Sequence, residues 1–394
     1  MSDVWQKTIT TATKIRRELH SEPELGWQEF KTAHRIREFL TSLNIAWRPC
    51  AGTGTLAIIN AEATAGPHIA LRGDMDALPI HEDTQKSWAS REAGCMHACG
   101  HDGHTATLLA AASWLKFNEQ YLPGPVTLVF QPAEEGGHGA REMINDGALE
   151  GVDQIFGWHN WPAIPFGQLL CPDTLVMCGN GTFEIELTGR GGHASQPELC
   201  RDPVLAASAI TMNLQQIISR RLAPQQTSVV SVTSINAPSA ATVIPQRAML
   251  GGSIRVSDRA TRDEVNRLIT EISQQTALTY GVAADVHITP RYDATINHPA
   301  QALQMRQAWQ SLYGEQALDT NTRVPIMASE DFSYYLQEIP GAFALIGSDD
   351  GPEHQSPCHS PHYDFNDRLI PLVSRLFLRL AGAPVSEDVS PVIA

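Results

Sequence analysis

The chain has 394 residues, more than one hydrophobic core of ordinary size accommodates, so we expect two domains. Hydrophobic residues make up 42% of it, which is typical of a globular protein and argues against a disordered one. Its 28 basic and 43 acidic side chains give a net charge of −15, and no segment is rich in Lys or Arg. These numbers argue against a nucleic-acid partner, although an anionic substrate would need only one or two local cations.

The sequence also bears on location and on cysteine chemistry. The first segment, MSDVWQKTITTATKIRRELH, has no apolar core of signal-peptide length, and no run approaches the roughly 18 apolar residues of a membrane span. We therefore expect a cytoplasmic protein without a membrane partner. The 7 cysteines are scattered and odd in number, which favours buried thiols and ligands over a disulfide framework.

Helical periodicity predicts two helices near the N terminus, the first interrupted by Pro23 and the second over residues 29–45. Short apolar runs follow, each ending in a polar or glycine-rich turn, with helical segments such as HTATLLAAASWLKF between them. The runs are HIALRGDMDALP, VTLVFQPAEEGG, DQIFGWHNWP and AFALIGSDDG. Strands that alternate with helices predict an α/β domain whose mostly parallel sheet is flanked by helices.

The pattern changes between residues 178 and 290. In GTFEIELTG apolar and polar residues alternate, as they do in a half-exposed strand. The segments that follow complete the order β-α-β-β-α-β, which is the ferredoxin-like arrangement. Because the alternation of helices and strands resumes afterwards, we interpret 178–290 as an α+β domain inserted into a larger domain made of residues 1–177 and 291–394.

Side chains capable of catalysis or metal binding follow three of the predicted strands. Asp74 and Asp76 follow the first, Glu134 and Glu135 the second, and His159 the third. Open α/β sheets bind ligands at the carboxyl ends of their strands, so residues far apart in sequence meet there. We therefore expect these side chains to form one site.

The segment MHACGHDGHTA places Cys99 and His101 on a glycine-containing turn before a helix. A thiolate and an imidazole at this spacing can bind one ion, and Zn, Mn, Co or Ni would accept such donors. A small buried cysteine beside a helix cap explains the pattern equally well. A redox pair with Cys95 also stays open, although the spacing is not that of the thioredoxin motif. A zinc finger is disfavoured, because no second Cys/His pair follows at finger spacing.

In QPAEEGG two adjacent carboxylates end an apolar strand, where burial without a partner would be costly. One of them could bind a metal while its neighbour acts as general base. A solvated pair in a loop is the common alternative. His159 and His359 lie in turns rich in aromatic or proline residues, where a lone histidine is more often structural. Because four candidate segments are expected at the same edge of the sheet, a metal-binding role is favoured for these histidines over a structural one.

Several of these segments together resemble the amidohydrolase branch of the aminoacylase/carboxypeptidase-type metallopeptidases. That branch includes hippurate hydrolases, N-acetyl-amino-acid deacetylases and indole-3-acetyl-amino-acid hydrolases. The segments are LRGDMDALPI, MHACGHDGHTA, QPAEEGGHGAREMINDGAL, GRGGHASQPELCRDPVLAASAI and ASEDFSYYL. The match runs in order from LHSEPELGWQEFKTA to HSPHYDFND, nearly the whole chain, and is specific for the family rather than for a substrate.

The resemblance implies a catalytic larger domain, an inserted lid or dimerisation domain, and a site for two divalent metal ions per subunit. The ions would be Mn, Zn, Co or Ni, and the implied ligands are Cys99, His101, Glu135, His159 and His359. It further implies that Glu134 is the general base and that Asp76 orients a ligand histidine. Asp74 occupies a position where many relatives outside this branch carry a histidine ligand, and the cysteine of HACGH is a feature of the branch.

Two residues of the inserted domain also match positions of the family. His193 resembles a lid histidine that donates a hydrogen bond to the developing oxyanion, and a histidine that only caps the following turn is the alternative. Arg255 matches an arginine that binds the free carboxylate of the substrate, for which a planar guanidinium is well suited. A surface ion pair with an acidic neighbour is the alternative for Arg255.

The implied activity is metal-dependent hydrolysis of the amide bond of an N-acyl-L-amino acid to a carboxylate and a free amino acid. The acyl group would be acetyl, benzoyl or indole-acetyl, and water activated by the metals would attack with Glu134 as base. A dipeptidase, an N-acetyl-diaminopimelate deacetylase and a non-catalytic metal-binding or redox relative stay open. The carboxylate of Glu134 beside Glu135 favours an enzyme. We expect a small-molecule substrate and a homo-oligomer, since the edge strands of the lid domain need cover.

Overall fold

The computed structural model describes residues 2–386, so Met1 and residues 387–394, which belong to the predicted first and last segments of the larger domain, lie outside it. The helices are α1 (Ser2–Ser21), α2 (Phe30–Ser42), α3 (His101–Phe117), α4 (Gly139–Asn145), α5 (Pro203–Leu214), α6 (Arg259–Thr279), α7 (Pro299–Tyr313), α8 (Ser333–Glu338) and α9 (Leu369–Leu380). The strands are β1 (Ala46–Cys50), β2 (Gly54–Ile59), β3 (Ile69–Asp74), β4 (Val126–Gln131), β5 (Gln154–Pro165), β6 (Leu169–Leu170), β7 (Leu175–Met177), β8 (Gly179–Thr188), β9 (Gly192–His193), β10 (Ser228–Asn236), β11 (Val243–Ile244), β12 (Arg247–Val256), β13 (Ala283–Pro290), β14 (Thr295–Ile296) and β15 (Gly341–Asp349). A π-helical turn covers Ile217–Arg221, and 3₁₀ turns cover Glu119–Tyr121, Pro197–Leu199, Glu315–Ala317 and Pro352–His354.

The chain divides into two compact units. The larger unit comprises Met1–Val176, Ile296–Val324 and Asp331–Ala394, and the smaller unit comprises Met177–Thr295 and Pro325–Glu330. The segment Pro325–Glu330 joins the smaller unit because the main chain of Ile326 accepts a hydrogen bond of 2.9 Å from the Cys178 N–H. The sequence pattern did not indicate this second piece.

A seven-stranded sheet in the order β1-β2-β4-β3-β5-β15-β6 forms the centre of the larger unit. Its four central strands β4, β3, β5 and β15 are parallel, while β2 and β6 run antiparallel to their neighbours. Every residue of β3 and β4 is buried, as expected for strands covered on both faces. The predicted α/β fold class with a mostly parallel central sheet is confirmed.

Helix α3 is the most deeply buried helix of this unit and packs against α1, α9 and β3. Trp114 of α3 meets Trp5 of α1 edge to face, with ring centroids 5.2 Å apart. The helix begins directly after Gly100, whose φ of +93° favours glycine and where a Cβ would come within 2.2 Å of Asn160 Oδ1. None of the helices in the described residues is long and apolar enough to cross a membrane.

The smaller unit contains an antiparallel sheet in the order β10-β12-β8-β13, with α5 and α6 packed on it. Along the chain its main elements follow the order β8-α5-β10-β12-α6-β13, which is the ferredoxin-like arrangement. Phe183, Ile185 and Leu187 of β8 are buried and alternate with more exposed neighbours, so this strand contributes one face to the core of the unit.

A buried ion-pair network joins α1 to the start of α3. Arg16 Nε lies 2.9 Å from Asp102 Oδ2, and both side chains are fully buried. His20 Nδ1 lies 2.8 Å from the same carboxylate oxygen, and Arg16 also contacts Asp364 at 3.4 Å. Burial raises the pKa of Asp102, but Arg16 and His20 outweigh it and hold that pKa well below its usual range.

We expect Arg16→Met to lower the free energy of unfolding by about 3–5 kcal/mol, because it leaves Asp102 buried without its main counter-charge. The matched control is Arg35→Met, which breaks a half-exposed pair with Glu18 of 2.9 Å and should cost at most about 1 kcal/mol. Urea unfolding of both variants measures the difference. Equal losses would contradict the role of the buried network.

Candidate metal centre

Carboxylates follow two neighbouring parallel strands of the larger unit. Asp74 ends β3 and Asp76 follows it, while Glu134 and Glu135 come shortly after the end of β4. Because β3 and β4 are parallel neighbours, their carboxyl ends lie together. Asp76 Oδ2 accepts the Glu135 N–H at 2.9 Å, so the two carboxylate segments are in direct contact.

The thiol and imidazole side chains come from three other segments. Cys99 and His101 lie at the start of α3. His159 lies inside β5 rather than after a strand end, because this strand continues to Pro165. His359 lies in the loop between β15 and α9, where its N–H donates to Ala98 O at 2.7 Å. This bond holds the loop against the segment that contains Cys99.

These side chains form overlapping groups of possible metal donors. In each group the ligand atoms lie within 4.8 Å of one another. The groups that contain predicted ligands are Cys99–His101–His159, Cys99–Glu135–His359, His101–Glu134–Glu135 and Asp74–His101–His104. All five predicted ligands therefore occur in one connected cluster, and Cys99 belongs to two of its groups.

Cys99 and His159 form one edge of the cluster. Cys99 Sγ lies 3.2 Å from His159 Nε2, and Cys99 is 7% exposed. His159 Nδ1 lies 2.6 Å from Asn160 O and donates to it, which leaves the lone pair on Nε2 on the side of the thiol. Burial and the neighbours His104 and His101 lower the pKa of His159, which favours the neutral imidazole that binds metals.

His101 has a ring nitrogen without a hydrogen-bond partner among the described residues. Its Nδ1 lies 3.2 Å from Asp76 Oδ1, whereas the buried Nε2 makes no hydrogen bond and lies 3.7 Å from Asp74 Oδ2. Burial lowers the pKa of His101, but Asp74, Asp76 and Glu135 together raise it to about 10. The carboxylates thus favour positive charge at this position.

Glu135 and His359 form the more open edge. His359 Nε2 lies 3.1 Å from Glu135 Oε1, and the His359 side chain is 53% exposed. The hydrogen bond with Glu135 is the first cause of a raised His359 pKa. One thiol, three imidazoles and several carboxylates are donors that suit zinc or another first-row divalent ion. Together with the unsatisfied Nε2 of His101, this donor set fits a metal centre.

Glu134 is 6% exposed and lies beside the predicted ligand Glu135. Its Oε1 accepts the N–H of Asp331 at 3.3 Å. The carboxylate of Asp331 in turn accepts hydrogen bonds from Gln131 Nε2 at 2.9 Å and from the Ala140 N–H at 2.9 Å. The turn that contains Glu134 is thus fixed through Asp331.

Glu29 supports the same turn from the segment before α2. It is fully buried, and its carboxylate accepts the Ala133 N–H at 2.9 Å and the Thr53 hydroxyl at 2.7 Å. Ala133 has φ +52°, a left-handed conformation that is strained for a residue with a Cβ. Glu29 therefore helps to hold the backbone conformation directly before Glu134.

A buried network beneath the cluster was not predictable from the sequence pattern. Arg72 pairs with Asp74, and its NH2 lies 3.2 Å from Asp331 Oδ1. His104 Nδ1 contacts Asp74 Oδ1 at 2.6 Å, and its Nε2 contacts Asn160 Oδ1 at 2.8 Å. The only sequence signal was the three-residue spacing of His101 and His104, which places both on one face of a helix.

The two predicted site residues of the smaller unit, His193 and Arg255, both make hydrogen bonds within that unit. His193 is exposed, and its Nδ1 accepts the Ser195 N–H at 3.1 Å, which leaves the proton on Nε2. Arg255 donates from Nε to Met327 O at 3.0 Å and from NH1 to Ser253 Oγ at 2.9 Å. No carboxylate in the described part of the chain forms an ion pair with Arg255.

Comparison with known proteins gives consistent matches over nearly the whole chain. The profile of peptidase family M20/M25/M40 matches residues 70–383. The chain is similar to the IAA-amino acid hydrolase ILR1-like 2 of Arabidopsis thaliana, with 39% identity over 382 residues that cover 96% of this chain and 86% of the relative. It is 35% identical to the hippurate hydrolase of Campylobacter jejuni over 371 residues, 93% of this chain and 95% of the relative. The crystal structure of the YXEP protein of Bacillus subtilis, described as a dinuclear metal-binding peptidase of the M20 family, matches with a TM-score of 0.82 at 32% identity and covers 96% of this chain and 98% of its own.

The surroundings of Glu29 predict a pH-dependent stability. Burial first, and then Asp76, raises the pKa of Glu29 to about 7. An unfolded chain has a glutamate pKa of about 4.3, so the unfolded state loses this proton first as the pH rises. The contribution of Glu29 to stability therefore falls between about pH 4 and pH 7.

Glu29→Gln keeps an acceptor for the Ala133 N–H but cannot ionise. We expect its melting temperature relative to the wild type to rise by a few degrees between about pH 5 and pH 8, measured by thermal unfolding at both values. The exposed Glu62→Gln serves as the control and should show no such trend. A Glu29→Gln difference that is constant with pH would contradict the assignment.

Proposed function

The chain belongs to peptidase family M20/M25/M40 and is a metal-dependent amidohydrolase, and from this premise we propose that it hydrolyses N-acyl-L-amino acids to a carboxylate and a free amino acid. The observation that carries the proposal is the buried Glu134 carboxylate within a cluster of metal donors. An acyl group of the indole-acetyl or benzoyl type is supported by relatives named IAA-amino acid hydrolase and hippurate hydrolase. Acetyl is the third candidate, supported by a relative named N-acetyl-L-cysteine deacetylase.

We propose that two divalent cations bind to Cys99, His101, Glu135, His159 and His359, with Mn, Zn, Co and Ni as candidates. Two donor groups share Cys99, which supports neighbouring positions for the two ions. Bound there, such ions would polarise the amide carbonyl and lower the pKa of a water molecule. Asp76 would orient this ligand set, since its two oxygens contact the His101 ring and the Glu135 N–H.

Glu134 acts in this proposal as the general base. Its carboxylate takes a proton from the attacking water while the water oxygen forms a bond to the carbonyl carbon. The same proton then passes to the amide nitrogen as the carbon–nitrogen bond breaks, which releases the amino acid. The Asp331 N–H donates to one Glu134 oxygen, so the loop before α8 helps to keep the base in place.

His193 and Arg255 would act on the substrate. Because Nδ1 of His193 accepts the Ser195 N–H, the Nε2–H is a donor suited to the developing oxyanion. Arg255 has no ion-pair partner in the described residues, so its guanidinium is suited to the free carboxylate of the amino acid.

We expect Glu134→Gln to keep its bound metal and to lose about 10²–10⁴-fold in kcat, because the amide cannot accept the proton of water. The exposed Glu150→Gln serves as the control and should retain wild-type turnover. Metal content by elemental analysis and release of amino acid measure the two effects. Near-normal turnover by Glu134→Gln would remove this residue from the role of base.

The reaction class is tested with a panel of N-acetyl, benzoyl and indole-acetyl amino acids. Dipeptides and N-acetyl-diaminopimelate are added as the competing substrates. Metal-stripped protein is assayed before and after addition of Mn, Zn, Co or Ni. Turnover of an N-acyl amino acid that depends on added metal supports the proposal. Metal uptake without turnover of any member would favour a non-catalytic relative, and turnover of dipeptides alone would favour a dipeptidase.

The proposed roles of Arg255 and His193 can be distinguished by comparing two kinds of substrate. We expect Arg255→Ala to reduce kcat/KM for free N-acyl amino acids but not for their C-terminal amides, which lack the carboxylate. His193→Ala should reduce kcat by about 10²–10³-fold for both, as the loss of an oxyanion donor does. Both variants should retain their metal. Unchanged kinetics for either variant would exclude that residue from the site.

A further inference from the structure

Cys358 directly precedes the predicted ligand His359 and has no role in the proposed reaction. It is partly exposed, and it belongs to none of the candidate donor groups in the described residues. The buried Asn160 places its Nδ2 3.8 Å from Cys358 Sγ. The thiol is thus held at the edge of the metal cluster without being one of its donors.

Cys99 and Cys358 are adjacent across two chain segments. The His359 N–H donates to Ala98 O at 2.7 Å, which aligns the residue after Ala98 with the residue before His359. Cys99 Sγ also lies within 4.8 Å of the ligand atoms of Glu135 and His359, and His359 is the residue after Cys358. The two cysteines therefore lie side by side on neighbouring chain segments.

The cysteine that the sequence suggested as a redox partner of Cys99 has other surroundings. Cys95 Sγ donates to Pro23 O at 3.6 Å. Cys99 Sγ instead lies 3.2 Å from His159 Nε2, and its segment is hydrogen-bonded to the one that carries Cys358. Any disulfide of Cys99 that needs little rearrangement would thus involve Cys358.

We propose that Cys99 and Cys358 form a reversible disulfide with a hydroperoxide as the oxidant, and that this disulfide removes Cys99 from the metal donor set. The more exposed Cys358 sulfur attacks the peroxide oxygen, which gives a sulfenic acid and releases water from hydrogen peroxide. Cys99 Sγ then attacks the Cys358 sulfur, the S–S bond forms, and the oxygen leaves as water with the proton of Cys99. The two thiols lose two electrons, and the peroxide gains them.

The proposal makes metal binding and disulfide formation mutually exclusive at Cys99. The thiolate is the form of cysteine that binds a metal, and a disulfide sulfur has lost that charge. A bound metal should therefore protect Cys99 from oxidation, and oxidation should reduce the capacity for metal. A dithiol reductant restores both thiols by exchange. This inference rests on Cys99 as a ligand but not on the identity of the substrate.

The test compares the metal-loaded protein with the same protein after treatment with a chelator, each exposed to hydrogen peroxide. We expect the loss of two free thiols and a mass lower by two hydrogen atoms, both faster after chelation. Peptide mapping should identify the Cys99–Cys358 cross-link. Metal uptake by the oxidised protein should fall and should return after dithiothreitol. These readouts do not depend on turnover, so a failed substrate panel leaves them interpretable.

Cys358→Ser and Cys95→Ser are the matched variants. Cys358→Ser should bind metal and turn over substrate as the wild type does but form no cross-link and show no loss of metal that dithiothreitol reverses. Cys95→Ser should behave like the wild type. The proposal is overturned if peroxide gives no Cys99–Cys358 peptide, if the cross-linked protein still takes up its full metal content, or if Cys358→Ser shows the same reversible loss.

Discussion

The larger unit is organised around buried negative charge at the carboxyl ends of β3 and β4. Asp74 and Asp331 are fully buried, Asp76 is 1% exposed and Glu134 is 6% exposed. Removing an ionised carboxylate from water costs several kcal/mol unless a counter-charge or hydrogen bonds replace the solvent. The surrounding sequence therefore has to supply cations and N–H groups, and most features of the site follow from how it does so.

The groups that offset the charge of these buried carboxylates form two sets. Beneath the cluster the protein supplies these groups itself. Arg72 pairs with Asp74, and His104 hydrogen-bonds to the same carboxylate. Arg72, Gln131 and the Ala140 N–H contact Asp331. Around Asp76 and Glu135 the protein supplies imidazoles and a thiol, which are donors that suit a divalent cation. The internal set holds Glu134 and the predicted ligands in place, and the open set is where we propose that metal binds.

Much of this architecture was predictable because its signals are local. The strands β3, β4 and β15 are mainly apolar runs, so the α/β class could be predicted from the sequence. The candidate residues near their ends and near the start of α3 indicated a single site, whereas the ligand set was implied by the family resemblance and stays a prediction. The position of His159 inside β5 could not be predicted, because its segment, a polar pair followed by Trp and Pro, is also typical of a turn. The network beneath the cluster was equally inaccessible, because Arg72 and Asp331 are 259 residues apart and only the folded chain brings them together. The roles of His193 and Arg255, the cytoplasmic location and the homo-oligomer stay predictions.

The position of the segment Pro325–Glu330 in the sequence affects the order in which the chain folds during translation. The smaller unit obtains this piece, with the partner of the Cys178 N–H, only after α7 has been synthesised. During translation the ferredoxin-like sheet can assemble once β13 has emerged, but the unit is complete only some residues later. A fragment cut at Thr295 would accordingly leave a main-chain donor at its border without its acceptor, so this unit is interrupted in sequence although it is continuous in space.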